Sequence, residues 1–281
     1  MRWSPRRGAL KLQVIRPAGR RRMSRFANLE FGGHREDTRT EQVRAAADAE
    51  AQWLAEAERE FRGGYFESAL RRYGRVLGTN PHSAAAWAGQ VRLLLELGET
   101  AEANGWADKA LERLPETPDL LALKGAALAR GGDLEAALAF SDASIRGGEA
   151  PPGVWLARGE VLLARREKSA EYSFAKAVTA APGEWLWLWL ASRAHLFHRQ
   201  FSRALKLARQ ALSLEETAPV IWLQLARCQW ALGLAAEAGR SLAQAEQLDA
   251  ACPELVPVRE TLRRPDAWQV WVGRWRRFWH A

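Results

Sequence analysis

Bulky apolar residues recur along the chain at one fixed spacing. Trp53, Trp87, Leu121, Trp155, Leu188 and Trp222 stand 34, 34, 34, 33 and 34 residues apart. An alanine about half a unit further on keeps the same steps: Ala69, Ala103, Ala137, Ala170, Ala204 and Ala238. Small residues follow four after the bulky one, at Ala57, Gly125, Gly159, Ser192 and Ala226, with Val91 the exception. Another small set lies seven after the alanine, at Ala110, Ser144, Ala177, Ala211 and Ala245, with Val76 the exception. Four columns held in one register across six units are an internal repeat.

Each unit reads as two helices, because apolar residues within each half fall at three- and four-residue spacings. Gly64, Gly98, Gly132 and Gly233 stand between the halves, where a helix ends on a left-handed residue. Proline closes most units, at Pro81, Pro115, Pro151, Pro182, Pro219 and Pro253. Short side chains let paired helices approach, while the Trp or Leu fills the space between successive units. The pattern predicts an all-α solenoid.

The motif resembles the tetratricopeptide repeat family. Trp53, Gly64, Phe66, Ala69, Tyr73 and Pro81 match it in the first unit, and Trp155, Gly159, Ala170, Phe174, Ala177 and Pro182 in the fourth. The resemblance covers about residues 50–250. It implies a right-handed superhelical solenoid of helix-turn-helix repeats, with the array at 37–252. It also implies a non-catalytic scaffold or adaptor that takes a peptide or protein on its concave face. Unit three departs from the motif with Leu121 and Ser141, and unit five with Leu188 and Glu216. The junction 146–153, rich in glycine and proline, reads as a kink or hinge.

Family geometry places Glu58, Arg62, Arg92, Glu96, Arg130, Glu160, Arg193 and Arg227 on the concave face, beside Trp189 and Trp230. Five arginines against three acids favour a ligand bearing carboxylates. The competing reading is a face closed by its own salt bridges. Leu54 and Glu58 stand where a chaperone-tail-binding subgroup carries part of its Lys/Asn set, which argues against that ligand. Trp185, Trp187 and Trp189 open unit five; Trp185 and Trp189 share a helical face and Trp187 lies away from them. One of the three is expected to reach the groove as an aromatic anchor, against the alternative of ordinary inter-repeat packing.

Composition narrows the chemistry. The 281 residues are 48% hydrophobic and 26% charged, enough for a sizeable packed core. No run approaches the roughly 20 apolar residues of a spanning helix. Two cysteines exclude a disulfide scaffold and a four-cysteine zinc module. Cys228 reads as a buried apolar residue and Cys252 as a loop thiol. His195 and His198 lie three apart, and no third ligand has a suitable spacing, so no metal is expected. No phosphate loop, nucleophile elbow, metalloprotease or EF-hand pattern occurs, so neither a cofactor nor catalysis is expected.

Charge separates the ends from the middle. Residues 1–29 hold nine basic side chains and no acid, and residues 259–281 carry six basic and two acidic groups. Against the +8 total, that leaves 30–258 at −5, so nucleic-acid binding is not expected of the array. Residues 1–36 read as a basic disordered tail: either a polyanion-binding arm or, up to residue 22, an extension ahead of a start at Met23. The helix after it is predicted to begin on Thr38 and Glu41 as a capping box and to run to about residue 62.

Residues 253–281 form a terminal segment in which Trp268, Trp271, Trp275, Phe278 and Trp279 share one helical face, flanked by Arg274, Arg276 and Arg277. That face has three readings: a cap on the last repeat, a dock for a partner or a second copy, or an interfacial helix on an anionic membrane. A cytoplasmic protein is expected, peripheral at the inner face of a membrane under the last reading. Oligomeric state stays open.

Overall fold

The computed structural model describes residues 29–263, and among these thirteen α-helices account for all regular structure. Six helical pairs follow one another. They are α1 (Leu29–Gly63) with α2 (Phe66–Thr79), α3 (Ala84–Leu97) with α4 (Thr100–Arg113), and α5 (Pro118–Gly131) with α6 (Leu134–Ser144). Then come α7 (Pro152–Ala164) with α8 (Ala170–Thr179), α9 (Trp185–Phe197) with α10 (Phe201–Leu214), and α11 (Pro219–Ala231) with α12 (Ala235–Leu248). A single helix, α13 (Leu255–Arg263), packs on α11 and α12. The chain divides into two compact units after Asp48, and the repeat array lies in the second.

The small columns are the contact lines between helices. Ala69, Ala103, Ala137, Ala170, Ala204 and Ala238 are all buried, as are Val76, Ala110, Ser144, Ala177, Ala211 and Ala245. Gly125 shows why size matters there. A Cβ at that position would stand 3.0 Å from the carbonyl oxygen of Ala137 in α6, a backbone atom that cannot swing aside. First helices of successive repeats stack on one another, α3 on α5, α5 on α7, α7 on α9 and α9 on α11, and so build one continuous inner layer.

Between the two helices of a repeat the chain turns through a left-handed residue. Gly64, Gly98, Gly132 and Gly233 hold φ of +85°, +85°, +93° and +75°. Repeats four and five have no glycine there, and Arg166 and Arg199 adopt φ of +61° and +60° instead. A side chain in this region costs roughly 1–2 kcal/mol, partly offset because glycine loses more freedom on folding. Among the described residues the Arg166 side chain makes no hydrogen bond or ion pair. Arg166→Gly is therefore expected to stabilise the array by about 0.5–1 kcal/mol, read as a higher denaturant midpoint at unchanged slope; a lower midpoint refutes it.

Two expectations are corrected. Helix α1 begins at Leu29 and runs unbroken through Thr38 and Glu41, so those residues do not cap a helix end. No proline lies between 29 and 63 to stop it. The 146–153 junction does not loosen the stack. Across it α7 packs on α5 and α6, Arg158 pairs with Asp142 at 2.7 Å, and Arg165 pairs with Glu135 at 2.7 Å. Cys252 stands in the loop between α12 and α13, as expected, and is buried there at 2% exposure. The basic tail to residue 28 and the aromatic face of Trp268, Trp271, Trp275, Phe278 and Trp279 lie outside the described residues.

Candidate functional site: the inner face of the array

Two charged columns one helical turn apart line the first helices. One runs Glu58, Arg92, Ala126, Glu160, Arg193, Arg227, and the other Arg62, Glu96, Arg130, Ala164, Phe197, Ala231. Each follows the repeat spacing, so neighbouring helices bring one column against the next. Of the adjacent opposite charges within a column, Glu96 and Arg130 come into ion-pair range at 3.7 Å, and most of the remaining pairs run between the columns or onto other helices.

Arg130 is the centre of the largest group. Its Nε donates to Glu160 Oε1 at 2.5 Å, its Nη2 reaches Glu160 Oε2 at 3.2 Å, and its Nη1 donates to the carbonyl of Leu95. Glu96 lies 3.7 Å away. The Arg130, Glu160 and Glu96 side chains are only 5–7% exposed. Burial disfavours the Arg130 charge, but the two carboxylates outweigh it and hold the guanidinium above its ordinary value. Burial likewise works against Glu160, and Arg130 with His198 overcomes it and holds the carboxyl below the usual range. Arg193 joins from across the interior: it pairs with Glu96 and donates to the Glu96 carbonyl at 2.6 Å, although the two residues are 97 apart in sequence.

The remaining expected groove residues fall into distinct places. Arg62 forks onto Glu184 at 2.8 and 3.3 Å and bonds Glu58 at 3.0 Å. Arg227 pairs with Glu254 at 2.6 Å. Trp230 is half-buried. Trp189 is fully buried, and its indole N–H donates to the Val220 carbonyl at 3.1 Å. It is a core residue and not a groove anchor, because aromatic side chains from the first repeat cover it. Trp185 and Trp187 keep partial exposure, each under an arginine: Arg62 lies 5.6 Å from the Trp185 ring centre and Arg92 5.9 Å from that of Trp187.

Those covering side chains are a feature the repeat pattern did not announce. Phe61 and Phe66 approach Trp189 with ring centres 5.7 and 6.4 Å apart. Tyr65 donates to Asp249 at 2.7 Å, and the Cys252 thiol donates to the Gly63 carbonyl at 3.4 Å. Hydrogen bonding to Asp249 pushes the Tyr65 hydroxyl up to about 12. The first repeat thus touches the fifth and sixth, and part of the inner face is closed by the chain itself.

Cavities open on that face among the described residues. One of about 420 Å³ is floored by Ala84, Ala85, Ala88 and Gly89 and walled by Leu54, Glu58, Tyr73, Arg92 and Asp119. Another of about 280 Å³ lies among Arg130, Arg193, Arg227, Phe197 and Leu97. Arg92 differs from the other four arginines. Among the described residues no carboxylate comes within ion-pair distance of it. His195 is buried and bonds Gln200 at 3.1 Å, and burial pushes it below the ordinary histidine value. No group of three potential metal ligands exists among the described residues.

Comparison with known proteins gives two family matches. Residues 62–127 match a family model described as tetratricopeptide repeat, and residues 190–254 match a second with the same description. No curated protein matches the chain. Similar solved structures include a tetratricopeptide repeat protein from Parabacteroides merdae, at 16% identity and TM-score 0.48, covering 76% of this chain and 84% of that one. A thermophilic TPR protein of Thermus thermophilus has 21% identity and TM-score 0.48, with 64% and 98% covered. The APC/C hetero-tetramer Cut9–Hcn1 contains a chain at 14% identity and TM-score 0.45; the match covers 76% of this chain and only 43% of that one.

Proposed function

The chain belongs to the tetratricopeptide repeat family, and on that premise we propose that it is a non-catalytic protein-interaction scaffold whose ligand is a peptide or protein segment bearing a carboxylate. The site is the open part of the inner face around Arg92. One observation carries this reading: Arg92 is half-buried on the wall of the 420 Å³ cavity and has no carboxylate partner among the described residues. A guanidinium so placed binds an incoming carboxylate with two parallel N–H donors. Arg62, at the neighbouring rim, keeps about a third of its side-chain surface open. Arg130, Arg193 and Arg227 serve instead to hold the helices in place.

The test compares affinity capture by the parent chain and by Arg92→Ala, at matched circular dichroism. Partners held by the parent and lost by the variant are the expected result. A truncated guanidinium at a buried charged contact costs about 2–5 kcal/mol of binding. An identical set of partners at identical yield sinks the Arg92 site.

A second reading rests on sequence alone. On that reading the tryptophans from Trp268 to Trp279 and the arginines among them attach the scaffold to an anionic bilayer. No helix among the described residues is long and apolar enough to cross a membrane. Co-sedimentation with anionic vesicles, full chain against a truncation ending at Arg264, decides between anchor and no anchor.

A further inference from the structure

We infer that the seam between the first repeat and the fifth and sixth repeats is an autoinhibitory clasp: it covers the inner face of α9 and α11 and parts as a unit to expose that face. The consequence for partner access rests on the scaffold reading above; the clasp itself does not.

The covered surface is the stretch of inner face that the repeat frame assigns to a ligand. Trp189 and Arg193 point into it from α9, and the side chains lying on them come from this same chain. Phe61 and Phe66 cover the Trp189 ring, and Arg193 stands 5.6 Å from the Phe66 ring and 5.0 Å from that of Trp189. Ala57, Phe61 and Phe66 share one apolar cluster with Leu186, Trp189, Val220 and Ile221. The first repeat therefore sits where a partner helix would lie.

The edges of the seam differ from its centre. They are held by discrete polar contacts that stay within reach of water: the Arg62–Glu184 fork, whose side chains are 32% and 33% exposed, and the Tyr65–Asp249 bond. Beside that bond lies a cavity of about 350 Å³ between Gly64, Tyr65, Phe66 and Pro253, Glu254, Pro257. Contacts of this kind are more polar than a repeat core and are the sort that part without unfolding the elements they join. Inside each repeat, in contrast, the small-residue columns are closed.

The chain carries its own reporter. Its two cysteines are both buried, at 2% and 0% exposure for Cys252 and Cys228. Cys252 lies in the seam, with its sulfur 3.4 Å from the Gly63 carbonyl. Cys228 lies between α9, α10 and α11, among Ser192, Gln224, Ala204 and Ala208, away from the first repeat. Cys252 packs on its other side against Leu223, Leu255 and Val258, so opening of the clasp bares its Gly63-facing side and leaves Cys228 covered.

The experiment is thiol labelling of the full chain with an aromatic disulfide reagent, with each site followed by peptide mass mapping. Parent, Tyr65→Phe and Asp249→Ala are compared. The expected result is faster labelling of Cys252 in both variants, by about tenfold, the effect of losing one hydrogen bond to a charged group, with Cys228 unchanged. Equal Cys252 rates in parent and variants overturn the proposal. So does acceleration of both cysteines together, which means that only global unfolding exposes the seam. Loss of partner capture on Arg92→Ala is read separately, so the two proposals fail independently.

Discussion

Arg130→Met lowers the stability of the array by about 3–5 kcal/mol, because it leaves Glu160 as a buried carboxylate without its main partner. The substitution keeps the aliphatic stem and removes only the charged fork, so packing loss is a minor part of the effect. Three contacts go at once: the two-point bond to Glu160, the bond to the Leu95 carbonyl, and the approach to Glu96. Urea unfolding at neutral pH measures the loss. Arg130→Met combined with Glu160→Gln costs less than the sum of the two single changes, since the second removes the stranded charge. Additive costs contradict the pairing.

The pH dependence follows from the sign of the shift. Arg130 and His198 outweigh burial and hold the Glu160 carboxyl below its ordinary value. The stabilisation it provides is then fully present above the usual carboxylate range and is lost as pH falls toward the lowered folded value. In Arg130→Met the same carboxyl is buried without that partner, and burial raises it. The gap between parent and variant therefore narrows as pH is lowered from about 7 to about 3. A gap that widens on acidification rules this account out.

Trp189→Ala is the second large effect, at about 3–5 kcal/mol. The side chain is fully buried and loses aromatic contacts with Phe61, Phe66 and Trp185 along with its bond to the Val220 carbonyl. Trp155→Ala is the control. Trp155 stands in the repeat's bulky column, half-buried, edge-on to Tyr172 at 6.3 Å, and its loss leaves no closed cavity. Its replacement costs clearly less. Differential scanning calorimetry of the two variants beside the parent tests the ranking, and equal falls in Tm defeat the placement of Trp189 at the centre of the seam.

The repeat columns are legible because a nearest-neighbour stack imposes the same steric demand every 34 residues. Ala137 and Ala204 face the same problem of close helix approach, and they solve it with the same residue. Two turns escape that logic. Arg166 and Arg199 take the left-handed position without the glycine that marks it elsewhere, and nothing in their side chains signals the conformation. The ion pairs of the inner face are half legible. Arg62, Glu96 and Arg130 alternate in sign down one column, and Glu160 stands one turn away from the position after Arg130. Sign alternation down a stacked column predicts internal pairing, but the same arginines in sequence serve an acidic ligand equally well. The seam is not legible. Phe61 and Tyr65 look like ordinary repeat residues, and their contacts with Trp189 and Asp249 join positions more than 120 apart, which no periodicity specifies. Trp189 departs from its expected place for the same reason: its column faces the interior, and only the three-dimensional path shows that the interior is occupied there.

Closure also fixes the length of the array. In an open solenoid each repeat touches only its neighbours, so a unit can be inserted or deleted with little effect beyond the two junctions. Here Gly64 packs on Val220 and Cys252, and Tyr65 reaches Asp249. Both ends of that contact belong to counted positions in a chain of stacked units. One extra unit between α4 and α9 would carry the acceptor surface past its donor, and one fewer would stop short of it. The number of repeats is in this sense a structural constant of the molecule, set by where the array meets itself. Variation among close relatives is then expected in loop residues and surface charge before it is expected in repeat number.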